Sequence, residues 1–147
     1  MTVMKILSVE IENFKPFREI ILPDRDTFGN GLFIICGKNS MGKSSLIEAT
    51  LWGLFGEQLF DARKRSLLLK IGQNECKVQI TFELGESVFL VIRKLNIRKS
   101  GNPTNNQSFV SDATLLRKGK DGFSIIVSDP RKAVSYTHLT LPTILRV

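Results

Sequence analysis

Residues 37–45 read GKNSMGKSS, that is Gly37-Lys38-Asn39-Ser40-Met41-Gly42-Lys43-Ser44-Ser45, and they separate two apolar elements. Leu32-Phe33-Ile34-Ile35-Cys36 come before, and Leu46-Ile47-Glu48-Ala49-Thr50-Leu51-Trp52 come after. The stretch fits G-x-x-x-x-G-K-[ST], filled by Gly37, Gly42, Lys43 and Ser44. Each fixed slot has a chemical reason. A polyphosphate packs several negative charges into a small volume. The unpaired N–H groups at a helix N-terminus, where the helix dipole is positive, suit such a charge. Curling the backbone around a phosphate requires positions with no Cβ or with positive φ, which assigns Gly37 and Gly42. Lys43 brings an ammonium to the outer phosphates. Ser44 offers a hydroxyl to Mg²⁺, a hard cation that takes oxygen ligands.

Gly37 through Ser45 are therefore the candidate nucleotide-binding residues. Lys43 and Ser44 are the candidate catalytic pair, Ser44 is the candidate metal ligand, and ATP and Mg²⁺ are the expected cofactors. Lys38, Asn39, Ser40 and Met41 fill the free slots of the loop. Lys38 reads equally as a phosphate contact or as a solvated charge. Glu48, one helical turn beyond Ser44, reads as a solvent-facing or capping charge before it reads as a catalytic one.

The flanks support a strand–loop–helix unit. Leu32 to Cys36 is uninterrupted apolar sequence, the pattern of a central strand in a parallel sheet covered on both faces. Leu46, Ile47, Thr50, Leu51, Leu54 and Phe55 fall at helical spacing, and Gly56 is a natural stop. Upstream, Leu7, Val9 and Ile11 alternate with polar residues as in a half-buried strand. The Phe14-Lys15-Pro16 break follows, and Arg18 to Leu22 reads as a second strand. Downstream, residues 57–71 read as a short helix or irregular segment. Cys76, Val78, Ile80, Phe82 and Leu84 then alternate with polar residues, Gly85-Glu86 supplies a turn, and Val88 to Ile97 returns. Ser100 to Gln107 reads as an exposed loop, and Phe109 to Leu116 and Phe123 to Val127 as two further strands around a turn at Gly119 to Gly122. The expected order is three strands, the loop, a helix and an antiparallel meander, an α/β arrangement.

Bulk properties narrow the partners. A hydrophobic content of 42% is ordinary for a folded domain. No run approaches the roughly 20 apolar residues of a membrane helix, and the start lacks a secretory leader pattern. Cys36 and Cys76 both sit in apolar strand patterns, so both read as buried reduced thiols, which fits a cytoplasmic protein. The net charge of +7 favours a polyanionic partner such as DNA, or a solvated basic surface.

The C-terminal stretch from Ala133 to Thr143 has a different character. Back-translated in one unbroken frame, it matches the transposase-type adapter used in short-read sequencing. The alternative is a genuine C-terminal strand. The adapter reading divides the chain into residues 1–133, a native N-terminal part, and residues 134–147, a non-native tail. It takes His138 and Tyr136 out of any catalytic argument, and it expects the native protein to be longer.

Three strings carry a family resemblance: MKILSVEIENFKPFREIIL from Met4, GLFIICGKNSMGKSSLIEATLWGLFGE from Gly31, and LLLKIGQNECKVQITFELGESVFLVIRKL from Leu67. Together they resemble the N-terminal head segment of the structural-maintenance-of-chromosomes (SMC) superfamily, in particular its SbcC-type DNA-break-repair branch. The marks are Asn13-Phe14-Lys15 at a strand end, Glu48-Ala49 and Phe55-Gly56 in the helix after the P-loop, and Arg93 closing a strand pair. Met41 departs from the small residue frequent at its position, which leaves the subfamily open. The resemblance implies part of an ABC-type P-loop NTPase head, one of two heads that together sandwich two ATP molecules. It implies ATP hydrolysis by the full-length parent coupled to double-strand-break repair, with DNA and a nuclease subunit as partners. It also brings Lys15 toward the nucleotide, although a surface lysine at a strand end fits equally.

In such families the Walker B carboxylates, signature motif and zinc-hook cysteines lie far downstream. No magnesium-contacting glutamine stands out before residue 133, so the fragment is expected to bind ATP and not to turn it over alone. Arg63-Lys64-Arg65, Arg93-Lys94, Arg98-Lys99 and Arg117-Lys118-Lys120 read as a DNA-facing surface or as solvated edge charges. Two other readings stay open. One is a different ABC-type DNA-metabolism ATPase, such as a RecF-like, phosphorothioation-system or nuclease-associated protein. The other is a DNA-binding or scaffold domain with a vestigial P-loop.

Overall fold

The computed structural model describes residues 3–23, 28–29, 33–56, 62–98 and 108–128. Its strands are β1 (Met4–Phe14), β2 (Phe17–Leu22), β3 (Glu75–Leu84), β4 (Ser87–Arg98), β5 (Ser108–Gly119) and β6 (Gly122–Val127). One α-helix, α1 (Lys43–Phe55), lies between β2 and β3 in sequence, followed by a 3-10 segment at Ala62–Leu68. The six strands form one sheet in the order β2-β1-β3-β4-β5-β6. Every neighbouring pair is antiparallel.

Turn chemistry sets the meander register. Leu84 faces Ser87, so Gly85-Glu86 is a two-residue hairpin loop, with Gly85 at φ 61°. Gly119 faces Gly122 across a second two-residue loop. These registers place every second residue of β3 and β4 on one face. Cys76, Val78, Ile80 and Phe82 lie there with Phe89, Val91 and Leu95, all buried. Helix α1 covers this face with Leu46, Ala49 and Trp52, and Phe14 and Trp52 pack with ring centroids 5.8 Å apart. Each large apolar side chain so covered contributes about 1.5–3 kcal/mol. Gly53 permits the close approach, because a Cβ there would lie 2.6 Å from Ile80 Cδ1 and 2.8 Å from Val78 Cγ1.

The strands, turns and helix agree with the sequence reading, with three corrections. The first is the sheet itself, which is antiparallel throughout the described residues rather than parallel around Leu32–Cys36. Phe33 to Cys36 form no strand, and Ile34 is 77% exposed. A strand exists only where a neighbour completes its ladder, and no described residue pairs with this run. Second, Cys36 is exposed for the same reason, whereas Cys76 is buried as expected. Third, the buried face of α1 is centred on Leu46, Ala49, Trp52 and Gly53, and Ile47 points outward at 55% exposure. The helix is apolar around most of its circumference, so spacing alone did not select the face. The expected Ser100–Gln107 loop and the 134–147 tail lie outside the described residues.

Candidate nucleotide-binding site

The phosphate loop ends where α1 begins. Gly42 is the helix N-cap, with φ 95° and ψ 16°, and no side chain caps it. Leu46 N–H is the first helical amide to bond back, to Gly42 O at 2.9 Å. The N–H groups of Lys43, Ser44 and Ser45 therefore have no intrahelical acceptor. The first turn carries no acidic residue to offset the positive end of the dipole. The residues that carry these amides line a cavity of about 540 Å³ together with Pro16, Asn39, Ser40 and Gly42.

Lys43 crosses the loop. Its Nζ donates to Gly37 O and, at 3.0 Å, to Lys38 O. Met41 N–H donates to Lys38 O at 3.3 Å, which tightens the turn. Lys38, Asn39, Ser40, Met41 and Ser44 are exposed, Met41 to 67%. The left-handed positions are Ser40, at φ 68°, and Gly42. Gly37 is outside that region, and a Cβ there would meet only ordinary contacts, with Met41 Cβ at 3.7 Å and Lys43 Cγ at 3.9 Å. The conformational demand expected at Gly37 thus falls on Ser40.

Lys15 is engaged elsewhere. Its ammonium forms an ion pair with Glu48, a residue 33 positions away that the sequence reading left to solvent. Partial burial pulls the Lys15 pKa below the usual lysine value. The Glu48 carboxylate is the countercharge that this desolvation favours. Pro16, rather than Lys15, lines the cavity. Pro16 and Phe17 are the site residues that sequence reasoning missed. The Lys15-Pro16 break signalled a turn, but nothing local says that this turn meets the phosphate loop.

The basic doublets do not form one patch. Arg93 is 1% exposed and points to the inner face with Val91 and Leu95. Its Nε donates to Gly53 O at 3.2 Å, and its guanidinium carbon lies 6.0 Å from the Trp52 ring centroid. Helix α1 has no basic residue in its last turn, so Arg93 supplies from the sheet the positive charge favoured there. Gly56 gives way to it, since a Cβ would lie 2.7 Å from Arg93 Nη1. On the opposite face Glu12, Lys77, Lys94 and Asp112 are successive cross-strand partners, and Lys77 Nζ bonds Glu12 Oε1 at 2.7 Å. That row is charge-balanced. Arg98, Arg117, Lys118 and Lys120 are exposed, and Arg117 donates to Ser87 Oγ at 2.8 Å. The side chains of Arg63 and Lys64, and all of Lys99, lie outside the described residues.

Among the described residues no group of His, Cys, Asp and Glu could hold a metal ion, and no helix is long and apolar enough to cross a membrane. The site offers amides, an ammonium and hydroxyls, a donor set suited to a polyanion.

Comparison with known proteins agrees with this chemistry. A family model described as an AAA domain matches residues 8–138. The chain is 32% identical over 89 residues to a DNA double-strand break repair Rad50 ATPase of Thermoplasma acidophilum, covering 60% of this chain and 10% of that protein. It is 29% identical over 117 residues to the Rad50 ATPase of Sulfolobus acidocaldarius, covering 80% and 12%. It is 29% identical over 108 residues to the SbcC component of the SbcCD nuclease of Staphylococcus aureus, covering 71% and 11%. The chain thus spans about a tenth of the length of these relatives. Its fold is similar to that of a solved chain from work on ATP-driven dimerization and DNA-stimulated activation of SMC ATPases. That similarity has a TM-score of 0.53 at 19% identity, covering 97% of this chain and 84% of that one. With the family model spanning nearly the whole described sheet and the loop before α1, the chain belongs to this AAA-domain family.

Proposed function

We propose that this chain is the N-terminal nucleotide-binding segment of an SMC/SbcC-like ATPase whose full-length form couples ATP binding and hydrolysis to DNA double-strand-break repair. One observation carries the reading. Lys43, Ser44 and Ser45, whose amides are unpaired at the start of α1, and the left-handed Gly42 line one cavity. In this role the amides and Lys43 hold the phosphates. Ser44 would offer its hydroxyl to Mg²⁺, and the ion would supply charge neutralisation there. Gly37, Lys38, Asn39, Ser40 and Met41 shape the mouth of the loop. Lys15, tied to Glu48, acts at its flank.

The relatives' names support the assembly proposed for the parent: paired heads, a nuclease partner and DNA as the object of repair. The exposed Phe33–Cys36 run and the outward Ile47 support a head whose remaining surface comes from elsewhere in a longer protein. Residues 134–147 are proposed to be adapter-derived, and sequencing the locus from intact DNA tests this.

Binding of a fluorescent ATP analogue with Mg²⁺ tests the site. The chain should bind it, Lys43→Ala should weaken binding at least about tenfold, corresponding to loss of a charge-assisted contact, and neither should release phosphate. Equal binding by the chain and Lys43→Ala would leave the P-loop without a role and favour a scaffold.

A further inference from the structure

The turn joining β1 to β2 is held from three sides. Between Asn13 and Phe17 it places two non-glycine residues in the left-handed region, Asn13 at φ 51° and Lys15 at φ 48°. Such strain persists only where the surroundings over-determine it, and it concentrates at functional sites. The first support is the segment after the 3-10 turn. Lys15 N–H donates to Leu68 O at 2.8 Å, Lys70 N–H donates to Asn13 O at 2.8 Å, and Phe14 bridges to Leu69. The Lys70 ammonium adds a bond to Pro16 O at 2.9 Å. The second support is the Lys15–Glu48 ion pair, which ties the turn to α1. The third is contact with the phosphate loop. A Cβ on Gly42 would lie 2.8 Å from Phe17 Cζ and 3.0 Å from Pro16 Cγ, so the turn presses directly on the N-cap.

We infer that Phe17 and Lys70 are positioning residues for the phosphate loop: Lys70 sets the Asn13–Phe17 turn, and Phe17 holds Gly42 in its left-handed conformation. Neither residue needs to touch a nucleotide for this. The consequence is steric and directional. With Gly42 held, Lys43, Ser44 and Ser45 keep their amides aimed into the cavity. With the ring or the clamp removed, Gly42 regains the freedom that glycine has in both halves of φ space, and the amides disperse. The inference rests on the proposed phosphate-binding role of the loop, but its geometric content is readable without any nucleotide.

The reporter is the Leu46 amide, which donates to Gly42 O. Hydrogen exchange at Leu46 is measured in the full chain without ligand, in Lys70→Met and Phe17→Ala, with Ile80 and Val91 as core references. Both variants should exchange about fivefold or more faster at Leu46 with the core references unchanged, matching the loss of one modest restraint. Phe17→Leu should restore most of the protection. Binding of the ATP analogue should then weaken in both variants by a similar factor. Unchanged Leu46 exchange in Lys70→Met and Phe17→Ala overturns the inference. So does acceleration spread equally over Ile80 and Val91, which marks general loosening. If Leu46 exchange responds as expected but the parent chain binds no nucleotide, the nucleotide-binding reading falls while the positioning relation stands.

Discussion

Two apolar stretches of this molecule have opposite fates. Cys76 to Phe82 in β3 alternates with polar residues, lies between β1 and β4, and buries its inward side chains completely or nearly so. Phe33 to Cys36 is more uniformly apolar, yet Phe33, Ile34 and Ile35 are all more than half exposed. Composition alone would have ranked them the other way. The difference lies in who supplies the partner. β3 finds both sheet neighbours within the described residues, one of them through a two-residue hairpin. For the run before the phosphate loop, no described strand does so. Hydrophobicity records what a segment requires, and topology decides whether the requirement is met.

The cysteines offer the sharpest way to break the comparison, since each stretch contains one. Burial pushes the Cys76 thiol up to about 12 from the ordinary 9.0. A thiol so shifted is about a thousandfold less ionised at neutral pH, and the thiolate is the reactive form. Cys36 is exposed. Iodoacetamide at pH 8 should label Cys36 within minutes and leave Cys76 unlabelled until the chain is denatured, as mass spectrometry of the peptides will show. Comparable labelling of both in the native chain would place Cys36 and Cys76 in equivalent environments. The same shift predicts a sign for stability. Between the ordinary thiol pKa and about 12 the folded chain holds a proton that the unfolded chain has lost. The contribution of Cys76 is therefore present below about pH 9 and is lost as pH rises toward 12.

Truncations sharpen the contrast in energy. Ile80→Ala empties a fully buried position beneath Gly53 and should cost about 3 kcal/mol in urea unfolding. Ile34→Ala, at a position 77% exposed, should change stability by less than about 0.5 kcal/mol. Equal losses would show that the run before the phosphate loop is packed.

A smaller effect is expected where a charge, rather than an apolar group, belongs to the core. Arg93→Met keeps the side-chain stem against Trp52 but removes the donor to Gly53 O at the end of α1. The cost should be about 2 kcal/mol, read from the same unfolding curves, with nucleotide-analogue binding unchanged. If binding fell while stability held, Arg93 would have a reach beyond the helix end that its burial does not suggest.

Much of the molecule was legible in order of residues. The alternation from Cys76, the glycine-bearing hairpins and the stop at Gly56 are local features, and each carried over to the fold. The helix start after Gly42 was equally local, whereas the strand expected before the loop was not found among the described residues. The errors share another cause. Arg93 looked like half of a basic doublet, and its inward direction follows only from β4 pairing with β3 and β5. Glu48 looked solvated until the β1–β2 turn brought Lys15 against it. Pro16 and Phe17 carried no functional mark at all.

What the sequence determined by itself was therefore the set of short-range instructions: strand periods, turns, and one helix starting directly after the second glycine of G-x-x-x-x-G-K-[ST]. Only the tertiary structure decided which face of α1 is buried, which cations are neutralised, and which distant turn lies against Gly42. The physical reason is range. Backbone preference and hydrogen-bonding pattern act over a few residues. Burial, countercharge and steric contact depend on partners that the chain brings together only after it has folded.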